Sequence, residues 1–126
     1  MQKVTGIGGL FFRADDPKAT SAWYAEHLGI SEVPVTYEAD AWQQQAGPTV
    51  FAPFAADTEY FGNAAKSWML NLRVDDLDAM VSQLRAAGID VEVDAKRYPN
   101  GRFARLTDPE GNPIELWQPM AAEDAE

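Results

Sequence analysis

The chain has 126 residues, of which 46% are hydrophobic and 24% are charged, and its formal net charge is −10. This length fits one domain with a real hydrophobic core, and the acidic balance argues against binding to nucleic acid or to anionic membrane surfaces. Because the chain contains no cysteine, disulfides, thiolate metal sites and cysteine nucleophiles are excluded. The sequence begins with nothing like a signal peptide and has no run approaching the roughly 20 apolar residues of a membrane span, so we expect a cytoplasmic protein.

The first half of the sequence predicts a strand, a helix and three further strands. Asp16 is a good N-cap for a helix from about Pro17 to Leu28, with proline at its first position. Gly29 suits the left-handed position that ends many helices. The strands of this half are predicted over residues 7–14, 31–35, 37–44 and 49–54, and residues 55–67 form a connecting loop.

The second half repeats this order. The segment GLFFRADDPKA from Gly9 corresponds to MLNLRVDDLDA from Met69, so that Asp16 matches Asp76. Residues 68–74 predict a strand, Asp76 caps a second helix that Gly88 ends, residues 89–93 alternate as a strand does, and residues 102–118 form a hairpin. An internal repeat of this kind predicts two modules that bury their sheets together.

The predicted fold class is therefore α+β, with two βαβββ modules forming a curved mixed sheet around a pocket. We expect a single domain over residues 1–120, with module one at about 5–55, a loop at 56–67 and module two at about 68–119. Residues 121–126 are small and acidic, and they predict a disordered tail.

The hairpin over residues 102–118 carries the most informative residues. Its turn contains Asp108, Pro109, Gly111 and Asn112, which are typical turn formers. Period-two alternation puts Ala104, Leu106, Ile114 and Leu116 on a core face, and it puts Phe103, Arg105, Glu115 and Trp117 on the other. A turn centred on Glu110 places Arg105 opposite Glu115 and Phe103 opposite Trp117. A face that is both aromatic and charged is unusual for a solvated surface and natural for a binding cavity.

Three segments of the chain resemble the vicinal oxygen chelate superfamily, which includes glyoxalase I, bleomycin-resistance proteins and extradiol dioxygenases. They are FFRADDPKATSAWYAEHLGI (11–30), LRVDDLDAMVSQLRAAGIDVEV (72–93) and RFARLTDPEGNPIELWQP (102–119). The resemblance implies paired βαβββ modules around a pocket, in many cases within a homodimer.

Enzymes of this superfamily hold a divalent metal with His, Glu or Gln side chains from each module. By resemblance, the ligand positions fall at Gly9, at Met69, around residues 49–51 and at Glu115. Only Glu115 has a suitable side chain, and a catalytic site needs three or four donors. We therefore expect no cofactor; zinc, nickel, iron or manganese would be needed only under the alternative of an active enzyme.

Each candidate residue has two interpretations that the sequence leaves open. Glu115 is either a ligand-binding or catalytic carboxylate, or the partner of Arg105 in a cross-strand ion pair. The arginines either clamp an anionic ligand or pair with carboxylates such as Asp15 and Asp75. The aromatic residues line a pocket or pack in a core or dimer interface, and Tyr60 is the candidate lid residue. The ligand-binding candidates are Arg13, Trp42, Phe51, Tyr60, Met69, Asn71, Arg73, Phe103, Arg105, Glu115 and Trp117.

The leading functional hypothesis is a homodimeric glyoxalase/bleomycin-resistance-like protein that binds a small, flat, partly apolar molecule without the metal. One alternative is a metal-dependent lyase or dioxygenase of the same superfamily. Another is a metal-free isomerase in which Glu115 acts as the general base. Whether the protein is an enzyme is left open, and neither nucleic acid nor membrane is an expected partner.

Overall fold

A computed structural model describes residues 1–120, so the predicted tail at 121–126 lies outside the described residues. Helix α1 is followed by a strand, a second helix and three more strands. The bounds are α1 Pro17–Leu28, β1 Leu70–Arg73, α2 Leu77–Ala86, β2 Glu92–Val93, β3 Gly101–Thr107 and β4 Pro113–Pro119. From β1 onward this is the βαβββ order predicted for module two.

Both helices begin at the predicted caps. The Asp16 side chain accepts a hydrogen bond from the Ala19 backbone N–H at 3.1 Å, and Asp76 accepts one from Ala79 at 3.0 Å. Each carboxylate thus satisfies one of the N–H groups that a helix leaves unbonded in its first turn. Helix α1 ends at Gly29, whose φ of +73° lies in the left-handed region that glycine adopts without strain.

The four strands form one mixed sheet in the order β1-β4-β3-β2. Strands β3 and β4 are antiparallel, with Arg105 opposite Glu115 and Phe103 opposite Trp117, so the predicted register is confirmed. Strand β1 runs parallel to β4 and pairs Asn71 with Glu115. Glu115 therefore lies on a central strand, with a neighbour on each side.

The core lies on one face of this sheet, where both helices pack. The predicted core residues of the hairpin are buried there against α2 and against Tyr24 of α1. Burying a large apolar side chain is worth about 1.5–3 kcal/mol, so this face supplies most of the stability. The buried apolar residues of this cluster are Tyr24, Leu77, Val81, Leu84, Val91, Ala104, Leu106, Ile114 and Leu116.

The two-module prediction is only partly confirmed. The fold class and the second module agree with the structure, but of the first module only α1 is formed, and residues 1–69 contain no strand. The segments predicted as strands at 7–14, 31–35, 37–44 and 49–54 expose apolar side chains, with Phe11 97% exposed. A strand is stabilised by cross-strand pairs and by burial of one face, and these segments have neither in the described chain.

The turn of the β3–β4 hairpin holds the start of helix α1. The Glu110 carboxylate accepts hydrogen bonds from the backbone N–H groups of Asp15 at 2.9 Å and Asp16 at 3.1 Å, and from the Thr20 hydroxyl at 3.3 Å. These bonds favour the charged form and lower the pKa of Glu110. A carboxylate at this end also complements the positive pole of the helix dipole.

Asp108 in the same turn anchors α1 through Tyr24. The Tyr24 hydroxyl donates to Asp108 Oδ2 at 2.6 Å, and the Asn112 amide donates to the same oxygen at 2.7 Å. The backbone N–H groups of Glu110 and Asn112 donate to Oδ1 at 2.8 and 2.9 Å. Four donors make a buried carboxylate tolerable. Burial and the bond to Asp108 raise the pKa of Tyr24 far above its usual range.

Candidate functional site

The candidate site is centred on Glu115, on the sheet face opposite the core. Glu115 is only 8% exposed. Its Oε1 accepts a hydrogen bond from the Asn71 amide at 2.7 Å, and its Oε2 accepts one from the Tyr60 hydroxyl. Asn71 reaches the carboxylate because the parallel register of β1 and β4 puts the two residues side by side. The structure thus brings together three of the candidates predicted from sequence.

Tyr60 covers Glu115 from the loop predicted at residues 55–67. Its ring stacks on Phe54 with a centroid separation of 5.9 Å, and it is itself 41% exposed. Burial, followed by the hydrogen bond to Glu115, raises the pKa of Tyr60 to about 12. The hydroxyl therefore stays protonated near neutral pH, and it acts as a neutral donor to the carboxylate.

Arg105 lies opposite Glu115 in the strand register but makes its contacts elsewhere. One guanidinium nitrogen lies 3.3 Å from Glu92 Oε1, another donates to the Tyr60 carbonyl at 3.2 Å, and the group sits 5.3 Å from the Tyr60 ring centroid. None of the ion pairs formed within residues 1–120 includes Glu115. Of the two interpretations left open for Glu115, the cross-strand ion pair with Arg105 is therefore not formed. Arg105 instead steadies the Tyr60 loop.

Phe103 and Trp117 form the aromatic part of the same sheet face. Their rings are parallel to within 3°, with centroids 6.4 Å apart. Trp117 is buried, and its indole N–H donates to the Asn100 carbonyl at 2.8 Å. Gly101, with φ of +137°, lies directly against this indole, and a Cβ there would collide with it and with the Gln118 carbonyl. The position of the Trp117 ring thus depends on a glycine.

The remaining candidates do not gather at Glu115. The guanidinium of Arg73 donates to the backbone carbonyls of Gln45 at 2.7 Å and Pro48 at 2.6 Å, so it fastens that segment to the sheet. Within the described chain Arg73 forms no ion pair with a carboxylate. Arg13, Trp42 and Phe51 are exposed in stretches without regular structure.

A cavity of about 680 Å³ lies at one side of the sheet, open to solvent. Met69 and Arg105 contribute to its walls, whereas Glu115 does not. Its other lining residues come from the Phe61–Gly62 turn, from residues 85 and 88–92, and from the ends of β3 and β4. Arg105 is therefore shared between this cavity and the Tyr60–Glu115 cluster.

The donor set at Glu115 does not fit the metal that the superfamily's enzymes use. The groups bonded to the carboxylate are a phenol and a primary amide, whereas zinc and iron sites are built from imidazoles and carboxylates. Within residues 1–120 there is no group of three or more His, Cys, Asp or Glu side chains that could hold an ion. The one histidine of the sequence, His27, lies in the last turn of α1, with its Nε2 3.6 Å from Glu26 Oε2.

Sequence reasoning missed Glu92 and Phe54. Glu92 pairs with Arg105 because β2 and β3 place the two residues opposite each other. The opposite charges were visible in the sequence, and residues 89–93 alternate as a strand does, but alternation does not show which strand is the neighbour or in what register. The paired part, β2, is only two residues long. Phe54 supports the Tyr60 ring within an irregular loop, and no local pattern in the sequence signals that contact.

Comparison with known proteins agrees with this fold. A family model described as a glyoxalase-like domain matches residues 9–117, and the chain belongs to this family. None of the curated proteins compared with it matches significantly. No helix within residues 1–120 is long and apolar enough to cross a bilayer.

Several solved structures share the fold. TnmS3, an antibiotic binding protein from Streptomyces sp. CB03234, is 24% identical, with 95% of this chain and 100% of that chain covered and a TM-score of 0.61. A protein from the mobile metagenome of V. Pseudocholerae is 22% identical, with coverage of 96% and 99% and a TM-score of 0.64. A putative glyoxalase family protein from Bacillus anthracis is 22% identical, with coverage of 82% and 84% and a TM-score of 0.50.

Proposed function

We propose that this protein binds a small, flat, partly apolar molecule on the sheet face around Glu115, without the metal that its family's enzymes use. The observation that carries the proposal is Glu115 itself. It is a buried carboxylate on a central strand, covered by a loop tyrosine and bonded to an amide, in a donor set unsuited to a metal. Such an arrangement suits the orientation of an organic ligand.

The aromatic pair beside Glu115 would supply the affinity. Phe103 is half-buried and parallel to Trp117, so a planar ligand that covers its ring removes apolar surface from water. At roughly 25 cal/mol per Å² of apolar surface removed from water, covering the Phe103 ring contributes more to the binding free energy than one neutral hydrogen bond does. The likeness in fold to an antibiotic binding protein supports planar antibiotics as the first compounds to test.

The test is a titration of planar aromatic compounds and antibiotics, followed by tryptophan fluorescence and by calorimetry. For any binder, Phe103→Ala should weaken the affinity about tenfold or more, since it removes the apolar contact of a whole ring. Phe11→Ala is the matched control, because Phe11 is 97% exposed and belongs to none of the aromatic pairs with Phe103, Trp117 or Tyr60. A complete absence of binders, or equal losses in the two variants, would contradict the proposal.

The metal-dependent alternative is tested on the same preparation. Elemental analysis of protein purified without chelator should find no stoichiometric zinc, nickel, iron or manganese, because the donors at Glu115 are a phenol and an amide. A tightly held ion at one equivalent per chain would instead favour a lyase or dioxygenase.

The proposal includes a homodimer. Val35 and Phe51, at 98% and 87% exposure, lie in segments with strand-like sequences but no strand partner within residues 1–69. Exposed apolar surface on this scale is typical of an interface. Sedimentation should therefore give twice the chain mass of 13.9 kDa, and Val35→Lys with Phe51→Lys should give a monomer. A wild-type monomer at tens of micromolar would refute this part.

A further inference from the structure

Glu115 is a buried carboxylate whose hydrogen-bond partners within residues 1–120 are neutral. Asn71 donates to Oε1 and Tyr60 donates to Oε2, and neither residue carries a positive charge near neutral pH. Hydrogen bonds of this kind satisfy the oxygen lone pairs but leave the net charge in place. Removing an ionised carboxylate from water is costly unless an opposite charge accompanies it.

The two arginines nearest in the sheet do not supply this charge. Arg105, opposite Glu115 in the register, is engaged by the Glu92 carboxylate at 3.3 Å and by the Tyr60 carbonyl. Arg73, two residues along from Asn71 on β1, donates instead to the carbonyls of Gln45 and Pro48. Both cations are engaged by other groups, and none of the ion pairs within residues 1–120 includes Glu115.

Tyr60 is the donor that a ligand can replace. It comes from a loop, it is 41% exposed, and it covers Glu115 from the solvent side. Asn71, by contrast, belongs to strand β1 and is fixed by its pairing with β4. A ligand that displaces the Tyr60 hydroxyl reaches Oε2 directly, and its flat body then lies beside the Phe103 and Trp117 rings.

We infer that the ligand is an organic cation: a planar aromatic body that carries a protonated amine or amidine, which takes the place of the Tyr60 hydroxyl on Glu115. This inference rests on the proposed function and names the chemical class of its ligand. A cationic group is favoured on three grounds: the uncompensated carboxylate, the π-faces of the neighbouring aromatic rings, and the net charge of −10, which attracts cations to the protein.

Three naphthalene probes of matched size test the inference: 1-naphthylmethylamine, which is a cation at pH 7, the neutral 1-naphthalenemethanol, and the anion 1-naphthoate. Calorimetry with the wild-type chain should rank them in that order. The amine should bind roughly 10-fold to 100-fold more tightly than the alcohol, as a charge-assisted hydrogen bond to a buried carboxylate predicts.

Two isosteric variants separate the local charge from the overall charge. Glu115→Gln keeps the shape of the side chain and should bring the amine-to-alcohol ratio close to one. Glu38→Gln removes the same charge from an exposed position and should leave the ratio unchanged. Far-UV circular dichroism and the melting temperature verify that both variants fold.

The outcomes distinguish this inference from the proposed function. If the alcohol binds as tightly as the amine, or if Glu115→Gln keeps the preference for the amine, the cation inference is overturned while small-molecule binding stands. If none of the three probes binds and the wider set of planar aromatics also fails, both are overturned. If Glu38→Gln abolishes the preference as fully as Glu115→Gln does, overall charge is the cause, and the assignment to Glu115 is wrong.

Discussion

Replacing Tyr24 with phenylalanine tests how helix α1 is attached to the rest of the protein. The substitution deletes only the hydroxyl that donates to Asp108 Oδ2 at 2.6 Å. A hydrogen bond to a charged group contributes about 1.5–3 kcal/mol. Asp108 keeps its three other donors, Asn112 Nδ2 and two backbone N–H groups, so the buried carboxylate still has hydrogen-bond partners. We therefore expect the free energy of unfolding to fall by about 1.5 kcal/mol, the lower end of this range. Such a loss lowers the melting temperature by roughly 5 °C.

Urea unfolding at neutral pH measures this loss, and Tyr37→Phe is the control because Tyr37 is fully exposed. The pH dependence adds a second signature. Since folding raises the pKa of Tyr24 above its ordinary value of 10.0, its contribution is fully present below pH 10 and is lost as the pH rises further. Tyr24→Phe should flatten this alkaline decline. Equal stability of the wild type and Tyr24→Phe, or an equal loss in Tyr37→Phe, would refute the role assigned to the Tyr24–Asp108 bond.

Three further predictions concern the sheet face and its loops. Gly101→Ala should lower the free energy of unfolding, measured in urea, by about 2 kcal/mol or more, because φ is +137° and the Cβ would meet the Trp117 indole. The control is Gly8→Ala, where a Cβ meets no atom within 4 Å, and it should change this free energy by less than about 0.5 kcal/mol. Glu115→Gln should lower the pKa of Tyr60 from about 12 toward its usual value, since it removes the carboxylate that opposes ionisation; alkaline absorbance titration against Tyr60→Phe shows whether the step moves. Arg73→Met should speed chymotryptic cleavage near residues 42–51, because it frees the carbonyls of Gln45 and Pro48; cleavage no faster than in Arg102→Met, which breaks only an ion pair with Asp78, would count against this anchoring role.

Local sequence signals predicted the second half of the fold well. The β3–β4 register, the caps at Asp16 and Asp76 and the core face of the hairpin all follow from alternation and from turn and cap chemistry. Each of these depends on residues close together in the chain. The pairing of Phe103 with Trp117 is predictable for this reason, because a single short turn sets the register of both strands.

Features that depend on distant residues could not be predicted. Helix α1 buries Thr20 and Tyr24, and no local pattern in the sequence singles out these two residues. The helix buries them because Glu110 and Asp108 bond to these two side chains from a turn that lies 84 or more residues away. The same holds for Tyr60 on Glu115, since nothing local indicates where an irregular loop crosses a sheet.

The first-half strands show the same limit. Alternation and the internal repeat were sufficient to predict strands at 31–35 and 49–54, but a strand also needs an edge to join. Within residues 1–120 the sheet ends at β1 and β2, and neither edge takes up these segments. A sequence pattern shows which segments can form strands, whereas the strand that each segment pairs with depends on the tertiary structure.

The attachment of α1 has a consequence for how the chain can vary. Asp108 and Glu110 accept hydrogen bonds from the middle and the beginning of helix α1. Neither contact involves the irregular stretch between Gly29 and β1. Substitutions and changes of length in that stretch therefore leave the attachment of α1 to the hairpin turn intact. They alter the loop over the Glu115 face and the exposed apolar surface around Val35 and Phe51, so new binding preferences can arise there with little effect on folding.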